Sequence, residues 1–425
     1  EVWSVVEFGF DKHPGGQEIF LINLAEENFE ALEENQLVVQ GMMASKYLAT
    51  FEELVTGWQK NLSAVSDVLA QMTDTQRKWA YLETLFIGSD EVKKELPEDA
   101  KRFANVDVIF KDILNHFKST PNCIASCAKD GLMKQLESVA DDLELCEKAL
   151  ADFLEAKRTI FPRFYFVSQV MLLDILSNGN RPWVVLKNVN AMMQGVKECG
   201  LDGDPGTIVK SFVSNEGEVV PFGQTGTLAC NGKVENYLNE LLAKMRYEMR
   251  AQLGFAIDDY DKTGKGGKDR PKWICAGHIA QLSLVVTQQQ WTMLTDKALT
   301  TLSEGSDADA LKNYYAEQLV MLSDMIMMVS GVLEKLHRRA AMNIITLEAH
   351  SRDINAKLIR MGVERCDHFE WLGQLKTRWE KHVGHAGQDK ALDEGRDVDC
   401  VLYICDALFR YSFEYLGCAG RLVIT

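Results

Sequence analysis

Apolar residues recur along this chain at steps of three and four over long, uninterrupted stretches, and that period predicts helices. Leu62, Val65, Leu69, Met72, Trp79, Leu82 and Phe86 form one such face, with Gln76 in its single polar slot. They predict an amphipathic helix of about seven turns at 3.6 residues each. Phe103, Val106, Phe110, Ile113 and Phe117 mark another, opened by Pro97 with Glu98 and Asp99 behind it. Proline is tolerated in a first turn, and acids oppose its positive end. The cleanest face is Leu132, Leu136, Val139, Leu143, Cys146, Leu150 and Phe153. Its alternating steps of four and three are those of a bundle seam. An earlier helix is predicted from Asn28 to Leu54, and residues 1–27 read as an irregular lead-in.

The stretch from Leu154 to Pro182 breaks this rhythm with an aromatic corner. Pro162 stops the incoming helix, Phe161, Phe164, Tyr165 and Phe166 ask for a shared pocket, and a new helix restarts near Ser168. Further on, Ile208 to Phe222 has two β-branched runs around Asn215, Glu216, Gly217 and Glu218, the signature of a hairpin. Val234 to Leu253 is helical again. Gly195 to Gly206 reads as a connection and Asp258 to Pro271 as a mobile surface loop. Leu311, Tyr315, Leu319, Leu322, Ile326, Val329, Leu333 and Leu336 give a heptad-like face with Met321, Met325, Met327 and Met328 as core filler. Val401, Ile404, Leu408, Tyr411 and Tyr415 predict a last helix, ended by Gly417.

The fold expected is therefore all-α: an elongated arm of successive antiparallel helical bundles with one small β-hairpin near 208–222. Its expected parts are a lead-in over 1–27, a helical part over 28–200, hairpin, helix and loop over 201–273, and a second helical part over 274–420, with residues 421–425 after it. Only 8 prolines and 46% hydrophobic residues favour long helices over short strands. The net charge of −16 argues against nucleic acid or an anionic membrane as a direct partner. The 10 cysteines have no repeated short spacing and read as reduced thiols of a cytosolic compartment.

Candidate chemistry is sparse. Gly264 to Lys268 is the nearest approach to a phosphate-cradling loop, but no hydroxyl residue follows its lysine and no strand precedes it. Cys123 with Cys127, His382 with His385, and Cys400 with Cys405 have ligand types without the paired spacing of a zinc site. His350, Arg352 and Asp353 fall on different faces of a helix. No catalytic or metal-binding set is assigned.

Several segments resemble the linker region of axonemal dynein heavy chains. They are NQLVVQGMMASKY at 35–47, QRKWAYLETLF at 76–86, KRTIFPRFYF at 157–166 followed by LLDILSNG, GHIAQLSLVVTQQQWT at 277–292, LEAHSRD at 347–353, FEWLGQLKTRW at 369–379 and SFEYLGCAGRLVIT at 412–425. The resemblance implies a mechanical lever that joins a tail to a ring of AAA+ modules in an ATP-driven, minus-end-directed microtubule motor of cilia and flagella. It implies no enzyme activity or cofactor in this stretch, with ATP or ADP and Mg in the adjoining ring. Implied partners are that ring, microtubules, and intermediate and light chains through the tail. By the same resemblance the Gly195 to Gly206 connection and the Asp258 to Pro271 loop would be hinges of the lever, Glu216, Gly217, Glu218 and Val219 would contact the ring, residues 421–425 would begin the first AAA+ module, and Leu422, Val423 and Ile424 would edge its adenine pocket. The alternative, a static helical scaffold or solenoid, calls for a fixed repeat of roughly 33 to 47 residues, and none is found.

Overall fold

The computed structural model describes residues 2–13, 19–223, 225–381 and 398–417. Among them the chain is predominantly helical, with small antiparallel sheets, and it divides into two units, Glu1–Thr159 and Ile160–Thr425.

In the first unit a hairpin of β1 (Gly9–Lys12) and β2 (Phe20–Asn23) stands where the sequence predicts an irregular lead-in. The single helix expected over Asn28 to Leu54 is two: α1 (Glu26–Met43) and the start of α2 (Glu52–Phe86). Between them the Ser45 hydroxyl accepts the Tyr47 amide at 3.3 Å, a local bond that competes with helix continuation. The whole expected stripe of α2 from Leu62 to Phe86 is buried. Gln76 explains its own presence there: its Oε1 accepts the Ile22 amide at 2.9 Å and its Nε2 donates to the Ile22 carbonyl at 3.2 Å. One side-chain amide thus satisfies a backbone residue of β2 as a neighbouring strand would.

After α3 (Asp90–Glu95) comes α4 (Pro97–Ser119), whose Asp107 accepts the buried Trp79 indole N–H at 3.0 Å. Phe86 stacks on Phe103 and Trp79 leans on Phe110, so the predicted faces of α2 and α4 meet ring to ring. The short α5 (Cys123–Cys127) leads into α6 (Leu132–Ile160), which buries its seam from Leu132 to Leu150. Leu154 rather than Phe153 fills the last buried apolar place.

The second unit opens on the aromatic corner, a 3-10 turn over Pro162–Phe166 with Phe161 and Phe164 buried edge to face at 4.9 Å. The shared pocket holds two rings and not four, since Tyr165 and Phe166 are exposed. Ser168 caps α7 (Gln169–Ser177) by accepting the Met171 amide. Past α8 (Pro182–Val185) and α9 (Val189–Met192), the stretch expected as a Gly195 to Gly206 hinge forms β3 (Val196–Asp202). It pairs with β4 (Ile208–Ser214), which also pairs with β5 (Val219–Pro221) and β6 (Leu228–Ala229). The predicted hairpin is therefore the middle of a larger sheet.

From here α10 (Val234–Lys262) and α11 (Arg270–Ile274) take the two ends of the loop expected from Asp258 to Pro271 and leave a short connection over 263–269 with a 3-10 turn at Lys265–Gly267. The reason is Arg270, which is 2% exposed; its guanidinium pairs with Glu348 and donates to the Tyr260 hydroxyl at 2.8 Å. Burial alone would push that cation toward neutrality, but Glu348 and Tyr260 outweigh it and raise its pKa further. Three long helices follow: α12 (Ala280–Ser303), α13 (Ala310–Ser330) and α14 (Lys335–Met361). On α13 the buried positions are Leu311, Tyr314, Gln318, Leu322 and Met325, so Leu319 and Ile326 of the predicted seam face outward, as does Met327. The helix ends at Ser330, which leaves Leu333 outside it.

The predicted last helix is a sheet. After α15 (Phe369–Leu372), β7 (Lys376–Lys381) pairs with β8 (Val398–Ile404), which turns at Cys405 into β9 (Ala407–Arg410). Steps of three and four occurred there, but the segment is rich in β-branched and aromatic residues, and β7 supplies a partner far away in sequence. The Asp399 carboxylate pairs with Arg410 and lies 3.8 Å from Arg250 on α10, while Arg250 donates to the Val398 carbonyl at 2.7 Å. Among the described residues no helix is long and apolar enough to cross a membrane.

The Arg270 pair gives a direct test. Arg270→Met leaves the Glu348 carboxylate buried and unpaired, and should lower stability by about 3–5 kcal/mol in urea unfolding. The double change Arg270→Met with Glu348→Leu should recover most of that loss; a double variant as weak as the single one would contradict the account.

Candidate functional site

The chemistry-bearing residues of the second unit converge on the segment from Tyr411 to Gly417, which leaves the sheet without forming a regular element. The hairpin turn between β4 and β5 reaches it first. Ser214, fully buried, accepts the amides of Glu216 and Glu218 on its hydroxyl at 3.1 Å each. Gly217 takes the positive φ of 91° that closes a three-residue loop. This geometry splits the turn by face: Glu216 and Glu218 are half-buried, whereas Gly217 and Val219 are exposed.

The Glu218 carboxylate then serves two masters. Its Oε1 accepts the Ala280 amide at 2.8 Å, capping the first turn of α12, and its Oε2 accepts the Tyr415 hydroxyl at 2.6 Å. Burial raises the Tyr415 pKa well above the ordinary phenol value, and the Glu218 charge pushes the same way, so the phenol keeps its proton and donates. The Tyr415 ring packs edge-on against Phe212 of β4 at 4.7 Å.

At the second residue of α12, Gln281 holds the same segment, chiefly by its backbone. Its Nε2 donates to the Glu414 carbonyl at 2.8 Å and to the Tyr411 hydroxyl at 2.7 Å, and its Oε1 accepts the Leu416 amide at 2.8 Å. The side-chain amide again stands in for a strand. The aromatic corner contributes a third anchor: Arg163 donates to the Met192 carbonyl at 3.1 Å and pairs with Glu414 at 2.8 Å. Below the segment, a Cβ at Gly195 would lie 2.4 Å from the Tyr415 carbonyl oxygen and 2.7 Å from the Leu416 Cα, so only glycine admits this close approach. A candidate hinge is in fact the floor of a clamp.

Of the residues singled out from the sequence, Glu216 and Glu218 are thus brought to one place. Glu216 faces Arg339 of α14 at 4.0 Å, a loose pairing beside Glu218. Leu422, Val423 and Ile424 lie outside the described residues, as do His382 and His385. Gln281, Gly195 and Tyr415 were missed as a set, because nothing in their local spacing links them.

The other candidate chemistry does not assemble. Around Gly264 to Lys268 the backbone serves its own turn: the Gly264 carbonyl accepts the amides of Gly267 at 3.0 Å and Asp269 at 2.9 Å, which closes the end of α10. Those two amides are therefore engaged in the turn and are not free to meet a phosphate. Burial pushes the Cys123 thiol to about 12 and the Cys127 thiol to about 11, which keeps both protonated. Cys400 is buried on β8, its thiol likewise raised to about 12, while Cys405 sits exposed in a turn at φ 49°. Arg352 pairs with its neighbour Asp353 on the surface. Among the described residues no group of three His, Cys, Asp or Glu side chains is gathered as a metal site would need.

Comparison with known proteins adds the family. Residues 1–256 match the family described as dynein heavy chain, N-terminal region 2. The chain is 40% identical over 428 residues to the dynein alpha chain of the flagellar outer arm from Chlamydomonas reinhardtii. It is 38% identical to dynein axonemal heavy chain 9 of Homo sapiens and 37% identical to the ciliary dynein beta chain of Heliocidaris crassispina, each over 427 residues. In each case 100% of this chain is covered, and it spans 9% of the relative's length.

The clamp predicts unequal effects at its two ends. Glu218→Ala strips acceptors from both the buried Tyr415 hydroxyl and the first amide of α12, and should cost about 2–4 kcal/mol in urea unfolding. Tyr415→Phe removes one bond and leaves the cap intact, and should cost about 1–2 kcal/mol. Equal losses would show that the carboxylate does not bridge the two.

Proposed function

We propose, from the premise that this chain belongs to the dynein heavy chain N-terminal region 2 family, that it is the linker of an axonemal dynein heavy chain: the lever through which an ATP-driven motor of cilia and flagella moves its tail relative to a microtubule. The observation that carries this reading is the clamp on Tyr411 to Gly417. A passive connection between modules needs no fixed geometry. Here a short irregular stretch is instead gripped by the 3-10 corner, the β4–β5 turn and α12 together, through Arg163, Glu218 and Gln281. Displacement of whatever follows this segment is then passed to the packed helices behind it, because close-packed cores resist compression.

In this reading the nucleotide and its Mg belong to a ring of AAA+ modules outside these residues, and the chain itself hydrolyses nothing. The ring, microtubules, and intermediate and light chains reached through the tail are the partners. The β4–β5 turn offers the ring its outward face, Gly217 and Val219, because Glu216 and Glu218 are engaged inward. The relatives named for the flagellar outer arm and for cilia support an axonemal setting.

The test uses the intact heavy chain that carries this sequence. Glu218→Ala combined with Gln281→Ala should slow microtubule gliding while ATP turnover is retained, since the clamp is released without touching a catalytic group. Undiminished gliding by that variant would remove the lever reading.

A further inference from the structure

The outward face of α13 points to a partner. A helix that is apolar all round is a buried helix, and α13 is apolar on both sides: Leu311, Tyr314, Leu322 and Met325 face the core of the unit, while Leu319, Val320, Ile326 and Met327 are 43%, 61%, 50% and 67% exposed. The outward residues are ordered. Small side chains recur every seventh position, at Ala316, Ser323 and Ser330, and the bulky pairs Leu319 with Val320 and Ile326 with Met327 lie between them. This is a second heptad seam, over roughly 22 Å at 1.5 Å per residue, whose small positions let another helix axis approach closely. Glu317 and Asp324, also seven apart and exposed, line one flank with negative charge.

We infer that α13 seats an amphipathic α-helix that sets an apolar stripe against this seam and Lys or Arg against Glu317 and Asp324. We assign that helix to a segment of the same heavy chain beyond these residues. The assignment rests on the linker reading: the chain spans 9% of the length of relatives such as the flagellar outer-arm alpha chain, so such a heavy chain holds abundant polypeptide to supply it. Acidic flanks on this seam disfavour a second copy of α13 as the occupant, since like charges would meet.

The experiment is done on the native heavy chain. Met327, open as the face stands here, should be oxidised by dilute peroxide about tenfold more slowly than in the urea-unfolded chain, because a seated helix covers its sulfur. Val320→Glu, which puts a third acid into the seam, should restore rapid oxidation. A benzophenone amino acid in place of Val320 should, on irradiation, cross-link to a helical peptide of the same polypeptide carrying basic residues. Rapid oxidation of Met327 in the native chain overturns the inference, as does a cross-link to a separate subunit or to α13 of a second copy. Val320 has no part in the clamp, so a failure here leaves the gliding test of the linker reading untouched, and the reverse holds too.

Discussion

The second unit depends on a single carboxylate satisfying two donors far apart in the chain. Glu218 lies 62 residues before Ala280 and 197 before Tyr415, and its two oxygens bond to them at 2.8 and 2.6 Å. A carboxylate suits the position because it accepts on both oxygens and donates nothing, whereas an amide would present an N–H to one of the two donors. The charge is tolerated in a half-buried place because one bond comes from a helix N-terminus, where the peptide dipoles favour an anion. Remove the carboxylate and two elements lose a common point. The rest of the clamp follows from that registration: with α12 started at Ala280, Gln281 is placed against the backbone of Glu414 and Leu416.

The same logic of polar groups fixing register recurs inside the helical core. On α12 the buried Thr292 hydroxyl accepts the Thr377 amide of β7 at 3.1 Å and the buried Thr295 hydroxyl donates to Asn355 of α14 at 3.5 Å, and the Asn355 amide donates to Gln318 of α13 at 2.8 Å. On the far side Asp296 accepts the Trp371 indole N–H at 2.7 Å and pairs with Arg378 of β7 at 2.8 Å. Apolar packing alone would let these helices slide by a turn at modest cost, whereas each misplaced polar group would be stranded at about 1–3 kcal/mol. Polar contacts thus set the register of a close-packed core.

How far this was legible in the sequence depended on whether a signal was local. The stripes of α2, α4 and α6 were readable because each is a face of one helix, and even the odd residue Gln76 announced itself as a polar slot. The β4–β5 turn was readable from Asn215 to Glu218 because turn chemistry is a matter of four residues. The C-terminal sheet was not, since β8 takes its identity from pairing with β7, and a step of three and four fitted its residues equally well. Arg270 sat in a run of glycines, lysines and aspartates that looks solvated; its partner Glu348 is 78 residues away, beyond any periodic pattern. The clamp itself was half visible, its turn predicted and its partners not.

The misreading of α13 has a physical cause that bears on function. Periodicity identifies a buried face only when the opposite face is polar, and on α13 it is not, so the pattern through Leu319 and Ile326 was a genuine seam assigned to the wrong side. A sequence keeps a second apolar seam on a helix at a cost in solubility, for exposed apolar residues in a row invite association. That cost is offset only if the face is covered where the protein works. On the linker reading proposed above, the Glu218 clamp and the outer seam of α13 serve one constraint: the clamp fixes elements within the unit, and the seam is a residue pattern that makes no sense within the unit alone.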